Sequence, residues 1–321
     1  MVQLSIIIPC YNSFHRLKTA LDCLIKVNVI SIEVIIIDDC SIDNSFYLLN
    51  QYVSDKKNVI KVFHTTKNSG PGIARNIGIS NANGKYLCFL DSDDNFSGDF
   101  YDVISDYLKK DLDCIVYDAE IIKNEDKYFL PMILGGINGG IVSTTDAIVY
   151  TRGAPWGKIY KTQIVKENNI HFLDTKKAED TPFTKTALSY CKRIEYIKKP
   201  LYHYIMNDSS LMHISNYSDN TNIERCFEYI ESIIGMRYPR ECEAIFSYEY
   251  LYASGLLLSS NSKRSEWCSY ITKIERLYPN YLSNPYIKKY PTYVRLTILC
   301  ISLKLFSVVK FLSWLRAKTA K

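Results

Sequence analysis

An α/β fold with a mostly parallel sheet flanked by helices is predicted by three features of this 321-residue chain. Short runs rich in Ile, Val and Leu recur in the first 120 residues with no polar face. Helical patterns separate them, and acidic or polar residues follow the ends of most runs. Strands apolar on both faces that alternate with helices belong to parallel sheets covered on both sides.

The predicted strands lie at 4–9, 33–37, 59–63 and 85–90, with a fifth at 113–117. Leu17, Ala20, Leu21, Leu24 and Ile25 recur at helical spacing. A second helix is predicted over 71–82, where Pro71 occupies the first turn. Residues 96–215 read as mixed structure, with a Gly-rich stretch at 134–141, helices near 161–168 and 180–191, and a strand over 193–204. From residue 219 the pattern is helical, with segments near 220–236, 241–259 and 264–277. Pro279, Pro285 and Pro291 then precede a last helix. The expected organisation is a catalytic domain over 1–215, split near residue 95, a helical region over 216–290 and a basic apolar helix over 291–321.

With 47% hydrophobic and 23% charged residues, the composition supports a sizeable core and excludes a disordered or collagen-like chain. The ten cysteines are scattered without a C-x-x-C pair, which favours reduced thiols over a disulfide framework or zinc site. No secretory signal is visible at the start, so a cytoplasmic setting is expected. Charge is unevenly distributed. From Arg276 onward there are nine basic residues and no acidic one, whereas the preceding 275 residues carry 30 basic and 34 acidic residues. This argues against general nucleic-acid binding and suggests a tail that meets an anionic surface. Within the tail, Val294, Ile298, Ile301, Leu305, Val308, Leu312 and Leu315 form a seam of alternating four- and three-residue steps. Lys304 and Lys310 interrupt the helix and disfavour a membrane span. Docking on the chain's own core, an oligomer contact and an interfacial helix on the cytoplasmic face of a membrane all fit the pattern.

In doubly wound sheets, ligands bind beyond the carboxyl ends of the strands. Here those ends carry Pro9-Cys10-Tyr11-Asn12, Asp38-Asp39-Cys40-Ser41 and Asp91-Ser92-Asp93-Asp94. Residues two apart in an extended segment point the same way, so Asp91 and Asp93 can serve one site. Mg²⁺ and Mn²⁺ take such carboxylates together with phosphate oxygens. The loop Asn68-Ser69-Gly70-Pro71-Gly72 feeds a helix N-terminus that favours an anion, and Arg75 adds a permanent cation.

Four segments, 5–12 (SIIIPCYN), 33–45 (EVIIIDDCSIDNS), 68–76 (NSGPGIARN) and 86–94 (YLCFLDSDD), together resemble the family 2 glycosyltransferases of the GT-A fold. A weaker resemblance continues through 155–158 (PWGK), 178–183 (AEDTPF) and 202–204 (YHY). Many members have Gly where this chain has Cys40. The resemblance implies an inverting transferase that uses a UDP-sugar and Mn²⁺ or Mg²⁺. Its acceptor would be a glycan hydroxyl, expected on a lipid-linked intermediate of a bacterial surface polysaccharide. Pro9, Tyr11 and Asp39 would hold the uridine end, with Asn68 and Arg75 nearby and Ser92 and Glu179 joining the substrate contacts. Asp91 would lie by the ribose and metal, Asp93 would coordinate the metal, and Asp180 would be the catalytic base. His203 or His213 would complete the metal shell or touch phosphate, and Trp156 would stack on the acceptor sugar. Two other functions fit parts of the pattern: an aspartate-nucleophile phosphohydrolase built on 91–93, and a non-catalytic sugar-nucleotide or glycan-binding module. The phosphohydrolase motif normally follows a first strand, and here it follows the fourth.

Overall fold

A computed structural model of the chain describes residues 2–25, 29–56, 59–175, 178–206 and 221–319. The chain divides into two units, the first comprising 1–133, 138–147 and 151–208, the second 134–137, 148–150 and 209–321.

In the first unit, β1 (Leu4–Cys10) is buried along its whole length, as a run of β-branched residues inside a two-sided sheet requires. Helix α1 (Phe14–Leu24) turns Phe14, Leu17, Ala20, Leu21 and Leu24 toward the core. Strand β2 (Ile32–Asp38), helix α2 (Ser45–Tyr52), strand β3 (Ile60–His64), helix α3 (Pro71–Asn81) and strand β4 (Tyr86–Phe89) follow in alternation. They give the parallel order β3-β2-β1-β4, with Ile7 of β1 level with Ile35 of β2 and Phe89 of β4.

Helix α3 lies against β1 and β2 at Gly78, where an added Cβ would come within 2.3 Å of the Ile7 side chain and 3.0 Å of Ile37. Both neighbours are interior residues of buried strands, so neither yields cheaply. Gly78→Val is therefore expected to lower unfolding stability by about 1–3 kcal/mol or more, the range for overpacking. Urea denaturation would measure it.

Beyond β4 the expected parallel pattern changes. Strand β5 (Asn95–Phe96) and helix α4 (Phe100–Leu108) lead to β6 (Cys114–Lys123), β7 (Asp126–Leu130) and β8 (Gly140–Val142). Helix α5 (Thr144–Tyr150), strand β9 (Lys158–Lys161), helix α6 (Thr162–Glu167), helix α7 (Asp180–Tyr190) and strand β10 (Ile194–Ile205) complete the series. The sheet extends as β4-β9-β6-β10-β5, and β9 runs antiparallel to both of its neighbours. The sheet is thus mixed, with β6 and β10 forming a second parallel pair.

In the second unit, α8 (Thr221–Ile230) passes through a π-turn, and α9 (Pro239–Ile245) continues through another into α10 (Gly255–Asn261). Helix α11 (Arg264–Leu277) places Trp267 in the core, its Nε1 donating to the Gly255 carbonyl at 2.8 Å. The single last helix expected over 291–321 is two helices, α12 (Thr292–Ser302) and α13 (Phe306–Thr319). Lys304 adopts a left-handed φ of 54° between them and ends the first helix. The expected seam is broken there: Val294, Ile298 and Ile301 are buried, while Leu305, Val308 and Leu315 are exposed.

Candidate active site

The site is organised by Arg75, which α3 presents beyond the carboxyl ends of β1 and β4. The helix begins at Pro71, preceded by Gly70 at φ 88°, a conformation that glycine adopts without steric cost. Asp39, at the end of β2, sets this entry: its carboxylate accepts from Thr65 Oγ1 at 2.9 Å, from the Ser69 N–H at 3.0 Å and from the Gly70 N–H at 2.7 Å. Asp39 is buried. Its carboxylate therefore holds the 65–70 loop. Asp38 is buried with it and binds the Ser41 hydroxyl at 2.5 Å and His64 Nδ1 at 2.8 Å. The turn between them places Cys40 at φ 59°, which accounts for the glycine expected at this position.

Arg75 is itself buried and is shared among three carboxylates. One terminal nitrogen donates to Asp91 Oδ1 at 2.8 Å and the other to Asp180 Oδ1 at 3.0 Å, with Glu179 Oε1 3.7 Å away. The guanidinium also lies over the Phe172 ring at 5.3 Å, and that ring stacks on Phe183. Asn76 holds the Phe172 segment through two 2.8 Å hydrogen bonds to its backbone. Arg75 thus joins the end of β4 to the start of α7 across a large sequence separation. The residue before this pair, Ala178, takes a left-handed φ of 66°, local strain of the kind that collects at functional sites.

One cation facing three anions leaves the cluster electrostatically negative. Burial, then Glu179 and Asp91, push the Asp180 carboxyl up to about 7 against the opposing pull of Arg75. The Asp180 side chain nevertheless keeps 38% of its surface, so the group is both desolvated and reachable. Burial raises Glu179 above the usual carboxylate range as well.

The acidic run after β4 divides by role. Asp94 is buried, and accepts from the Tyr202 hydroxyl at 2.7 Å and from the Ile205 N–H at 2.8 Å. That same hydroxyl accepts from the Asp91 N–H at 3.2 Å. Tyr202 therefore ties the run to β10. Tyr202→Phe is expected to cost about 1–3 kcal/mol, since it strips partners from two buried polar groups. Thermal unfolding would register the change.

Burial and the nearby Asp91 raise the Asp93 carboxyl, and Arg16 offsets them only in part. Ser92 Oγ accepts a 2.9 Å hydrogen bond from Ser13. Among the described residues no group of three or more His, Cys, Asp or Glu side chains is disposed to hold a metal ion. Asp91 and Asp93 nonetheless fit a hard divalent cation that draws its remaining ligands from a diphosphate and water. The Asp93 carboxyl, raised by burial and by the neighbouring Asp91, is a donor that such a cation relieves.

The other expected residues are distributed as follows. Pro9 is buried within β1, while Tyr11 and Asn68 are exposed beside the same sheet edge. His203 is not brought to the acidic run. It follows Tyr202 on β10 and so points to the opposite face, where its Nε2 lies 3.8 Å from Glu120. Its nearest charged partner is thus Glu120. His213 lies outside the described residues. Trp156, expected to be a platform for the acceptor sugar, is already stacked on Tyr202 at 4.7 Å and on Tyr204 at 5.8 Å.

Two residues that sequence reasoning left without a role support this region. Lys158 and Lys185 are both fully buried, and donate to the carbonyls of Ala154 and Thr151 at 2.7 and 2.6 Å. Thr184 binds the Gly153 carbonyl at 2.8 Å. Helix α7, which begins at Asp180, therefore clamps the 151–157 loop. Burial pulls the Lys158 ammonium down to about 7. A cavity of about 420 Å³ lined by Lys85, Asp111, Lys161 and Lys166 lies at the opposite edge of the sheet and takes no part in this site.

An α/β sheet with helices on both faces and acidic groups gathered at its strand ends is the architecture of the GT-A fold. The profile described as Glycosyl transferase family 2 matches residues 5–172, and the chain belongs to that family. It is 28% identical over 293 residues to a poly(ribitol-phosphate) beta-glucosyltransferase of Bacillus spizizenii, covering 87% of this chain and 45% of the relative. An uncharacterized glycosyltransferase of Haemophilus influenzae is 41% identical over 197 residues, 60% of this chain and 74% of that protein. The fold matches the crystal structure of S. aureus TarS 1–349 in complex with UDP-GlcNAc at a TM-score of 0.71 and 21% identity, over 99% of this chain and 92% of that one. This chain thus spans under half the length of the Bacillus relative.

Proposed function

We propose that the chain is an inverting glycosyltransferase that moves a hexose or N-acetylhexosamine from a UDP-sugar to a hydroxyl of a glycan acceptor. The observation that carries this reading is the Arg75 bridge, which joins the donor-side Asp91 to the carboxylate of Asp180 in one buried cluster. A sugar hydroxyl is a weak nucleophile and needs a base as it attacks. Asp180 takes that proton while the hydroxyl oxygen bonds to the anomeric carbon. The bond from that carbon to the diphosphate breaks, and its electron pair leaves on UDP. One base opposite the leaving group gives a single displacement with inversion. Arg75 stabilises the charge that develops on the diphosphate, an effect strengthened by its burial.

Asp91 and Asp93 would hold Mn²⁺ or Mg²⁺, which when bound supplies further positive charge to the leaving diphosphate. UDP as the nucleotide is supported by the likeness to a UDP-GlcNAc complex. The acceptor we assign is a bacterial surface polymer, by analogy with the Bacillus relative named a poly(ribitol-phosphate) beta-glucosyltransferase; a lipid-linked form of it is what the family resemblance implies.

The raised Asp180 carboxyl fixes the sign of the pH dependence. The base works only when ionised, so kcat/KM is expected to fall as pH drops through about 7. A pH–rate profile of UDP release would test this, and a rate independent of pH between 5 and 8, roughly the window around that value, would contradict it. Thermal-shift screening of UDP-, GDP- and dTDP-sugars, with and without Mn²⁺, tests the donor: stabilisation by UDP-sugars alone is expected, and none with any of them would overturn the reading.

A further inference from the structure

We propose that the outer face of α12 and α13 is an interfacial docking surface for an anionic lipid bilayer. The proposal stands on the second unit alone and does not depend on the catalytic reading. Helix α12 carries two apolar stripes on opposite sides. One, formed by Val294, Ile298 and Ile301, is buried in the unit. The other recurs at Tyr293, Leu296, Leu299 and Leu303, and each of these side chains is exposed, from 43% at Leu299 to 65% at Tyr293. Helix α13 repeats the arrangement, with Val309 buried and Val308, Phe311, Trp314 and Leu315 exposed on the other side. A helix that only packs on its own core has one apolar stripe and a polar outer face. Each of two consecutive helices thus exposes an apolar outer face, and clustered exposed apolar side chains are what marks an interaction surface.

The charge around the patch selects the occupant. Lys288, Lys289, Arg295, Lys304, Lys310 and Arg316 lie along this segment, and no acidic residue occurs after Glu275. A groove of about 270 Å³ beside the α12 stripe is lined by Leu282, Ile287, Leu296 and Leu299 together with Lys288 and Arg295. Lys304 lies 3.8 Å from Glu275 of α11, and among the described residues no acidic partner meets Lys288, Arg295 or Lys310. Apolar side chains with Trp and Phe among them, on a segment whose own charges are all cations, match the boundary between acyl chains and anionic headgroups. No described helix is long and apolar enough to cross a membrane, so the contact is one of lying on the surface.

The test is co-sedimentation of the full chain with vesicles of phosphatidylcholine alone or mixed with phosphatidylglycerol. Binding to the mixed vesicles, weakened by salt, is expected, with little binding to neutral ones. Arg295→Gln with Lys310→Gln should weaken it roughly 30-fold, at about 1 kcal/mol per cation near the surface. Phe311→Ser with Leu299→Ser should abolish it while leaving the thermal unfolding midpoint near that of the parent. A blue shift of Trp fluorescence on mixing, lost in Trp314→Phe, would locate the contact. Equal binding to neutral and mixed vesicles, or none to either, would overturn the proposal. So would light scattering that shows a dimer dissociated by Phe311→Ser, since the face would then be a contact between copies. None of these measurements uses the donor sugar, so their failure would leave the transferase reading intact.

Discussion

Asp180→Asn is expected to lower kcat by about 10²–10⁴-fold, the usual contribution of a general base, with UDP-sugar affinity changed only a few-fold. The substitution keeps the side-chain shape and its first position in α7. It also keeps an oxygen that can accept from Arg75, so the bridge to Asp91 survives. What it removes is the ability to take a proton. Isothermal titration with UDP-sugar alongside single-turnover kinetics separates the two effects. Loss of binding with unchanged chemistry would make Asp180 a donor contact. Near-parent turnover would remove it from the reaction altogether. The acidic limb of the pH profile should disappear in the same variant.

Arg75→Met should have the widest consequences of any single change at the site. It leaves Asp91, Glu179 and Asp180 facing one another without their shared cation. Removing one partner of a buried ion pair typically costs about 3–5 kcal/mol, because the remaining charge stays desolvated. Proton uptake by the carboxylates offsets part of this, so the loss should be smaller at pH 5 than at pH 8, roughly either side of the raised Asp180 value. Activity should fall further than stability alone explains, since the leaving diphosphate loses its buried cation. Arg75→Lys restores a charge but not the fork that reaches two carboxylates at once. It should recover part of the stability and little of the rate. Urea denaturation at both pH values, together with UDP-release assays, would resolve these contributions. A double variant with Asp180→Asn should be non-additive, as expected for residues in one hydrogen-bonded network.

The first four strands were legible because each is a short, predominantly apolar run, and β1, β2 and β4 are buried almost throughout. Their boundaries fall within a residue or two of those expected. The remaining sheet was less legible for a physical reason. Strand β7 is almost wholly exposed and β8 has three residues, so neither carries a hydrophobic pattern. The antiparallel insertion of β9 rests on pairing that no local signal records. At the site, the sequence offered residue types but not their partnerships. Arg75 could be read as a cation near an anion, yet its partner Asp180 lies 105 residues away. Asp94 follows Asp93 directly, and no local signal records that Tyr202, 108 residues on, holds it. Alternation along β10 does place His203 on the face opposite Tyr202, a relation legible in the sequence. Lys158 and Lys185 gave no signal, since a buried lysine that serves backbone carbonyls looks like any lysine in sequence.

The most direct measurement is a crystal structure of the Asp180→Asn protein with an intact UDP-sugar and Mn²⁺. The diphosphate is expected against Arg75 with the cation on Asp91 and Asp93, and the anomeric carbon open to residue 180 on the side away from UDP. A nucleotide bound elsewhere, or a sugar whose leaving group rather than its reacting face meets residue 180, would contradict the assignment of this cluster.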